Sequence, residues 1–139
     1  IVASEELSIA FRKVHQYLTF CLNAPAQQAL AQYLEIFDQK KNTELMQSKR
    51  DYFWDMMQET PFELQRPAQG SYFQTGNFKT IKPNMSDKEF AIWLTTEKKV
   101  ATIPVSAFYH DQKNTGNIRF CFAKREEVIE QAVKNMKNL

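Results

Sequence analysis

The run NIRFCFAK, residues 117–124, constrains the fold of this chain more than any other stretch. Ile118, Phe120 and Phe122 alternate with Arg119, Cys121 and Ala123. That two-residue period belongs to a β-strand, whose successive side chains point to opposite faces. One face is wholly apolar and needs a cover. The other carries a permanent charge between small neighbours. This is the pattern of a half-buried sheet. Arg119 then has two readings: a charge that faces water, or a planar fork of donors waiting for a carboxylate or phosphate.

The rest of the chain supplies the cover. Ser4, Glu5 and Glu6 open a helix with a capping hydroxyl and acids at the positive end of its dipole, and Leu7, Phe11, Val14 and Leu18 form its apolar stripe. Asn23 caps a second helix with Pro25 in its first turn and a stripe of Leu30, Tyr33, Leu34 and Phe37. The polar patch DQKKNTE separates it from a long helix running from about Thr43 to Glu59, with Leu45, Tyr52, Phe53 and Met56 inward, ended by Thr60-Pro61. FELQ and SYFQTG read as short strands. Ser86-Asp87-Lys88-Glu89 is a capping box for a helix carrying Phe90, Trp93 and Leu94. VATIPVSAFY reads as a strand in which Pro104 denies one ladder bond and so points to an edge or a bend. A last helix, from about Arg125, turns Val128, Ile129, Ala132, Val133 and Met136 inward. The fold class is α+β: some 40 helical residues, then three or four strands with helices packed on one side.

Composition narrows the function. A net charge of +2 over 139 residues builds no field for nucleic acid or membrane, and no apolar run reaches the ~18 residues of a membrane span. Cys21 and Cys121 lack metal-ligand spacing and read as buried, reduced thiols of a cytoplasmic protein. His15 and His110 have no carboxylate or cysteine pattern around them, which argues against a metal site or a catalytic triad. The chain starts at Ile1 without a methionine, as an excerpt of a longer protein would.

The segments FRKVHQYLTFCLNAPAQQALAQYL, GSYF, SDKEFAIWLTTEKKVATIPVSAFY and IRFCFAK, in this order, resemble the C-terminal third of the class I pyridoxal-phosphate aminotransferases, in particular the methionine and kynurenine aminotransferase branch. The resemblance implies the C-terminal small domain of a fold-type I enzyme at residues 41–139, preceded by the helical end of the large, cofactor domain at 1–40. It also implies transfer of an amino group between a methionine-like or aromatic amino acid and a 2-oxo acid, in a cytoplasmic homodimer with no nucleic-acid or membrane partner. Arg119 matches the arginine that grips the substrate α-carboxylate through two parallel bonds, with Cys121 and Ala123 leaving room beside it. Tyr72 matches an aromatic of the substrate pocket, its neighbour Phe73 then pointing into the core. Phe20 and Cys21 match a segment that reaches the partner subunit's active site, and Pro104 and Val105 match the pocket rim.

The family's Schiff-base lysine stands in a Ser-x-x-Lys pattern, and no lysine of this chain has that context. The resemblance therefore implies pyridoxal phosphate in the full-length enzyme, none bound covalently to this chain, and no catalytic residue within it. Two other classes fit the same residues: a non-enzymatic binding or dimerisation module that reuses the small domain, and a regulator with an aminotransferase-like domain.

Overall fold

The computed structural model describes residues 2–19 and 21–139, which form two compact units, 1–39 and 40–139. The first unit holds two helices. In α1 (Glu5–Leu18) the Ser4 hydroxyl accepts from the Leu7 N–H at 3.4 Å, and in α2 (Ala24–Ile36) Asn23 Oδ1 accepts from the Ala26 N–H at 3.0 Å, with Pro25 in the first turn. Both helix starts follow the sequence. Neither helix buries a residue: Leu7, Phe11 and Leu30 are 53%, 48% and 60% exposed, so both apolar stripes face outward.

The second unit is built on a three-stranded antiparallel sheet. Strand β1 (Phe73–Asn77) and the two-residue edge strand β2 (Ile103–Pro104) flank the central β3 (Asn117–Cys121). Pro104 sits on an edge, where a missing N–H costs least. Helices α3 (Gln39–Met57), α4 (Asp87–Lys98) and α5 (Glu126–Met136) supply one core with the sheet. Phe53 and Met57 of α3, Phe90 and Leu94 of α4, and Ile129, Val133 and Met136 of α5 meet Ile118, Phe120 and Phe122. Phe78 and Phe90 stack at 4.1 Å between centroids, and Phe62 meets Phe120 edge-on at 5.2 Å.

Local chemistry fixes the ends of these elements. Ser86 and Glu89 form the reciprocal capping box, the Ser86 N–H donating to Glu89 Oε2 at 2.9 Å and the Glu89 N–H to Ser86 Oγ at 3.2 Å. At the other end of α4, Lys99 adopts φ 60°, and the Val100 N–H caps Leu94 O at 3.2 Å. Gly116 has φ +74° ahead of β3, and a Cβ there would stand 2.5 Å from Lys79 Cγ.

Several sequence expectations are corrected. Helix α3 begins at Gln39, so most of DQKKNTE is helical; Lys, Gln and Glu favour a helix and nothing in the patch breaks one. Leu45 (51% exposed) and Val128 (44%) point outward. FELQ forms no strand, only an isolated bridge from Glu63 to Asn77. VATIPVSAFY gives two strand residues and then a 3₁₀ turn, Val105–Phe108. Neither cysteine is buried: Cys21 is exposed and Cys121 half-buried, both as free thiols.

Candidate functional site

Arg119 occupies the middle of the central strand, paired with Thr75 on one side and Ile103 on the other. Directly opposed residues of antiparallel strands share a face. Phe73, Thr75, Ile103, Arg119 and Cys121 therefore line the face of the sheet turned away from the core. This places Phe73 beside Arg119 and corrects the expectation that it enters the core. Gln74 takes the inward position instead. It is 5% exposed, its Oε1 accepts from the Ala68 N–H at 2.9 Å, and its Nε2 donates to Arg66 O at 3.1 Å. A buried amide is tolerated because the 66–68 loop satisfies it.

The guanidinium lies close to two aromatic rings. Its Cζ is 3.8 Å from the centroid of Phe73 and 4.5 Å from that of Phe108. Both separations lie within cation–π reach. No acidic side chain of residues 40–139 pairs with it, and its buried Nε has no hydrogen-bond partner. A buried donor without an acceptor costs about 1–3 kcal/mol.

Phe108 was not singled out by the sequence as a site residue. It reaches Arg119 because it ends the 3₁₀ turn, and that turn is tied to α4. The Ser106 N–H donates to Asp87 Oδ2 at 2.7 Å and the Ser106 hydroxyl to Asp87 Oδ1 at 2.8 Å, with Asp87 only 1% exposed. The signal was present in the sequence as two separate features, the aspartate of SDKE and the serine of PVSAF.

The other expected site residues fall in different places. Tyr72 is 48% exposed with its ring centroid 4.1 Å from that of Phe73, so it adjoins the Arg119 face through that ring. It also lines a cleft of about 350 Å³ with Met46, Arg50, Gly70, Ser71 and Phe122. Pro104 and Val105 lead from the edge strand into the turn that carries Phe108. Cys21 lies in the first unit, exposed. Phe20 lies outside the described residues. Among the described residues no group of three or more His, Cys, Asp or Glu side chains could hold a metal ion, and no helix is long and apolar enough to cross a membrane.

The family model for class I and II aminotransferases matches residues 1–136. The chain belongs to the class I and II aminotransferase family. It is 37% identical over 140 residues to the methionine aminotransferase of Escherichia coli K12, covering 99% of this chain and 36% of that protein. It is 34% identical over 152 residues to a kynurenine–oxoglutarate transaminase of Dictyostelium discoideum, covering 94% and 35%. A crystal structure that identifies a methionine aminotransferase function in E. coli superposes with a TM-score of 0.84 at 37% identity, over 99% of this chain and 36% of that one. The N-succinyldiaminopimelate aminotransferase of Mycobacterium tuberculosis gives 0.83 at 27% identity, over 97% and 35%. The chain thus spans little more than a third of the length of these aminotransferases.

Aminotransferases of this family imply pyridoxal phosphate, and the residues present here do not fit it. No lysine shares the sheet face of Arg119. The half-buried Lys49 is committed to the carbonyl of Lys124 at 2.7 Å, and Lys79 packs over the Phe78 ring and reaches Pro83 O at 3.5 Å.

Proposed function

We propose that this chain is the C-terminal portion of a pyridoxal-phosphate aminotransferase and supplies the site that binds the α-carboxylate of its substrates. Arg119 holds the carboxylate through two parallel N–H···O bonds, which fixes the α-carbon and leaves the amino group to react. Residues outside this chain bind the cofactor, which supplies the electron sink when present. The substrates are an amino acid and a 2-oxo acid, which share the α-carboxylate and therefore share Arg119. A methionine-like or aromatic side chain suits the apolar surroundings that Tyr72 and Phe73 give Arg119. The parent enzyme is a cytoplasmic homodimer, and Phe20 and Cys21 approach the partner's site.

The observation that carries this reading is the buried Nε of Arg119 without a partner, in a guanidinium within cation–π distance of two rings. A merely solvent-facing arginine has neither property. The test is kinetic, in the full-length enzyme. A hydrogen bond to a charged group contributes about 1.5–3 kcal/mol, and each ~1.4 kcal/mol is tenfold in rate. Arg119→Ala should therefore lower kcat/KM for methionine about ten- to 150-fold. Arg119→Lys should recover only part of it, having the charge without the fork. Activity on 3-(methylthio)propylamine, which lacks the carboxylate, should barely change. Equal losses on both substrates would make Arg119 a structural strand residue.

A further inference from the structure

The rings around Arg119 need an explanation that folding does not provide. Phe108 is 59% exposed and Phe73 lies off the core, so neither ring is there to fill the interior. Both are nonetheless held against the guanidinium. Phe73 is fixed by the ladder, opposite Cys121. Phe108 is fixed by a chain of bonds: Asp87 holds Ser106 through two of its oxygens, and the Tyr109 N–H closes the turn on Ser106 O at 3.1 Å. The buried aspartate thus fixes the turn that ends in Phe108, and the ring at its end meets Arg119.

We propose that Phe108, together with Phe73, is a positioning residue that sets the plane of Arg119 for carboxylate binding, and that the Asp87–Ser106 bonds hold Phe108 in register. This rests on the carboxylate role of Arg119 proposed above. An arginine side chain otherwise has several rotatable bonds and loses that freedom each time it grips a ligand. Two rings remove the freedom beforehand. They also keep water off the faces of the guanidinium, so its edge donors act in a less screened setting. The clamp explains why a lysine would not serve here: an ammonium has no plane to hold.

The test is a double-mutant cycle in the full-length enzyme, with binding of hexanoate, a carboxylate with no amino group, as a second readout. A partly desolvated cation–π contact lies at ~0.7 to 2 kcal/mol, which corresponds to about three- to thirtyfold. Phe108→Leu should weaken hexanoate binding and lower kcat/KM for methionine by about three- to thirtyfold. Phe108→Tyr, which keeps the ring, should stay within about twofold of the parent. The melting temperature should not move with Phe108→Leu, because the side chain is mostly exposed. In an Arg119→Ala background the same Phe108→Leu change should cost less than about twofold, since the residue it positions is gone. An undiminished loss in that background would mean that Phe108 touches the ligand itself, and would overturn the proposal. So would a Phe108→Leu enzyme that binds hexanoate as the parent does. If in that case Arg119→Ala still abolishes hexanoate binding, the carboxylate role stands and only the clamp falls. If Arg119→Ala binds normally, both fall.

Discussion

Replacing Asp87 by alanine tests how much of this unit rests on one buried carboxylate. Asp87 is 1% exposed and takes two bonds from Ser106, at 2.7 and 2.8 Å, with Ser106 itself 9% exposed. Each charge-assisted bond contributes about 1.5–3 kcal/mol, and losing the acceptor strands a buried N–H and a buried hydroxyl. Against this, alanine removes a carboxylate that is costly to desolvate. The net loss should be about 2–4 kcal/mol, a large part of the ~5–15 kcal/mol that holds a typical domain together. Asp87→Asn keeps one acceptor and should lose about half as much. Urea unfolding followed by the fluorescence of Trp54 and Trp93, both in the second unit, reads this directly. With a slope of ~1.5 kcal/mol per molar, the Asp87→Ala midpoint should fall by about 1–3 M. The exposed Asp55, changed to alanine as a control, should shift it by less than about 0.5 M. An Asp87→Ala midpoint within that same margin would refute the idea that this carboxylate ties the 3₁₀ turn to α4.

Other outcomes follow from single features. Gly116→Ala should destabilise by about 1–2 kcal/mol in the same assay, because φ is +74° and the new Cβ would meet Lys79 Cγ at 2.5 Å. The hydrogen bond to Glu130 pushes the Tyr52 phenol up to about 12, with burial adding to it. The fold therefore favours the protonated phenol: the contribution is complete below pH ~10, the unfolded value, and is lost as pH rises through about 12. An ultraviolet titration should show one tyrosine ionising late, and Glu130→Gln should return it toward the ordinary range; no change on that substitution would contradict the assignment. The 139-residue chain by itself should give no saturable transaminase turnover with added pyridoxal phosphate, and measured turnover would show that a lysine here anchors the cofactor. With Leu7, Phe11, Leu30 and Phe37 exposed, that chain should also self-associate in light scattering while residues 40–139 alone do not.

How far the sequence reached depended on whether the deciding interaction was local. The capping box, the Asn23 and Ser4 caps and the alternation of Ile118, Phe120 and Phe122 are each set within a few residues, and each stands in the structure as read. The phase of β1 was not local. Phe73 and Gln74 could each have taken the inward side, and apolarity favours Phe73. The outcome turned on the 66–68 loop, which satisfies the Gln74 amide and lets Phe73 go to the arginine. The strand expected from VATIPVSAFY failed for the same kind of reason. Asp87, nineteen residues earlier, takes the Ser106 N–H and ties this stretch to α4. Arg119 was visible as a charge in an apolar strand, but its clamp was not, because half of it arrives through that distant bond.

The most direct measurement is a crystal structure of the full-length enzyme with a carboxylate ligand such as hexanoate. Both carboxylate oxygens should lie within about 3 Å of the guanidinium nitrogens of Arg119, in one plane with them, with Phe73 and Phe108 still at cation–π distance from it. A carboxylate held by another cation, with Arg119 turned to water, would contradict the carboxylate role of Arg119.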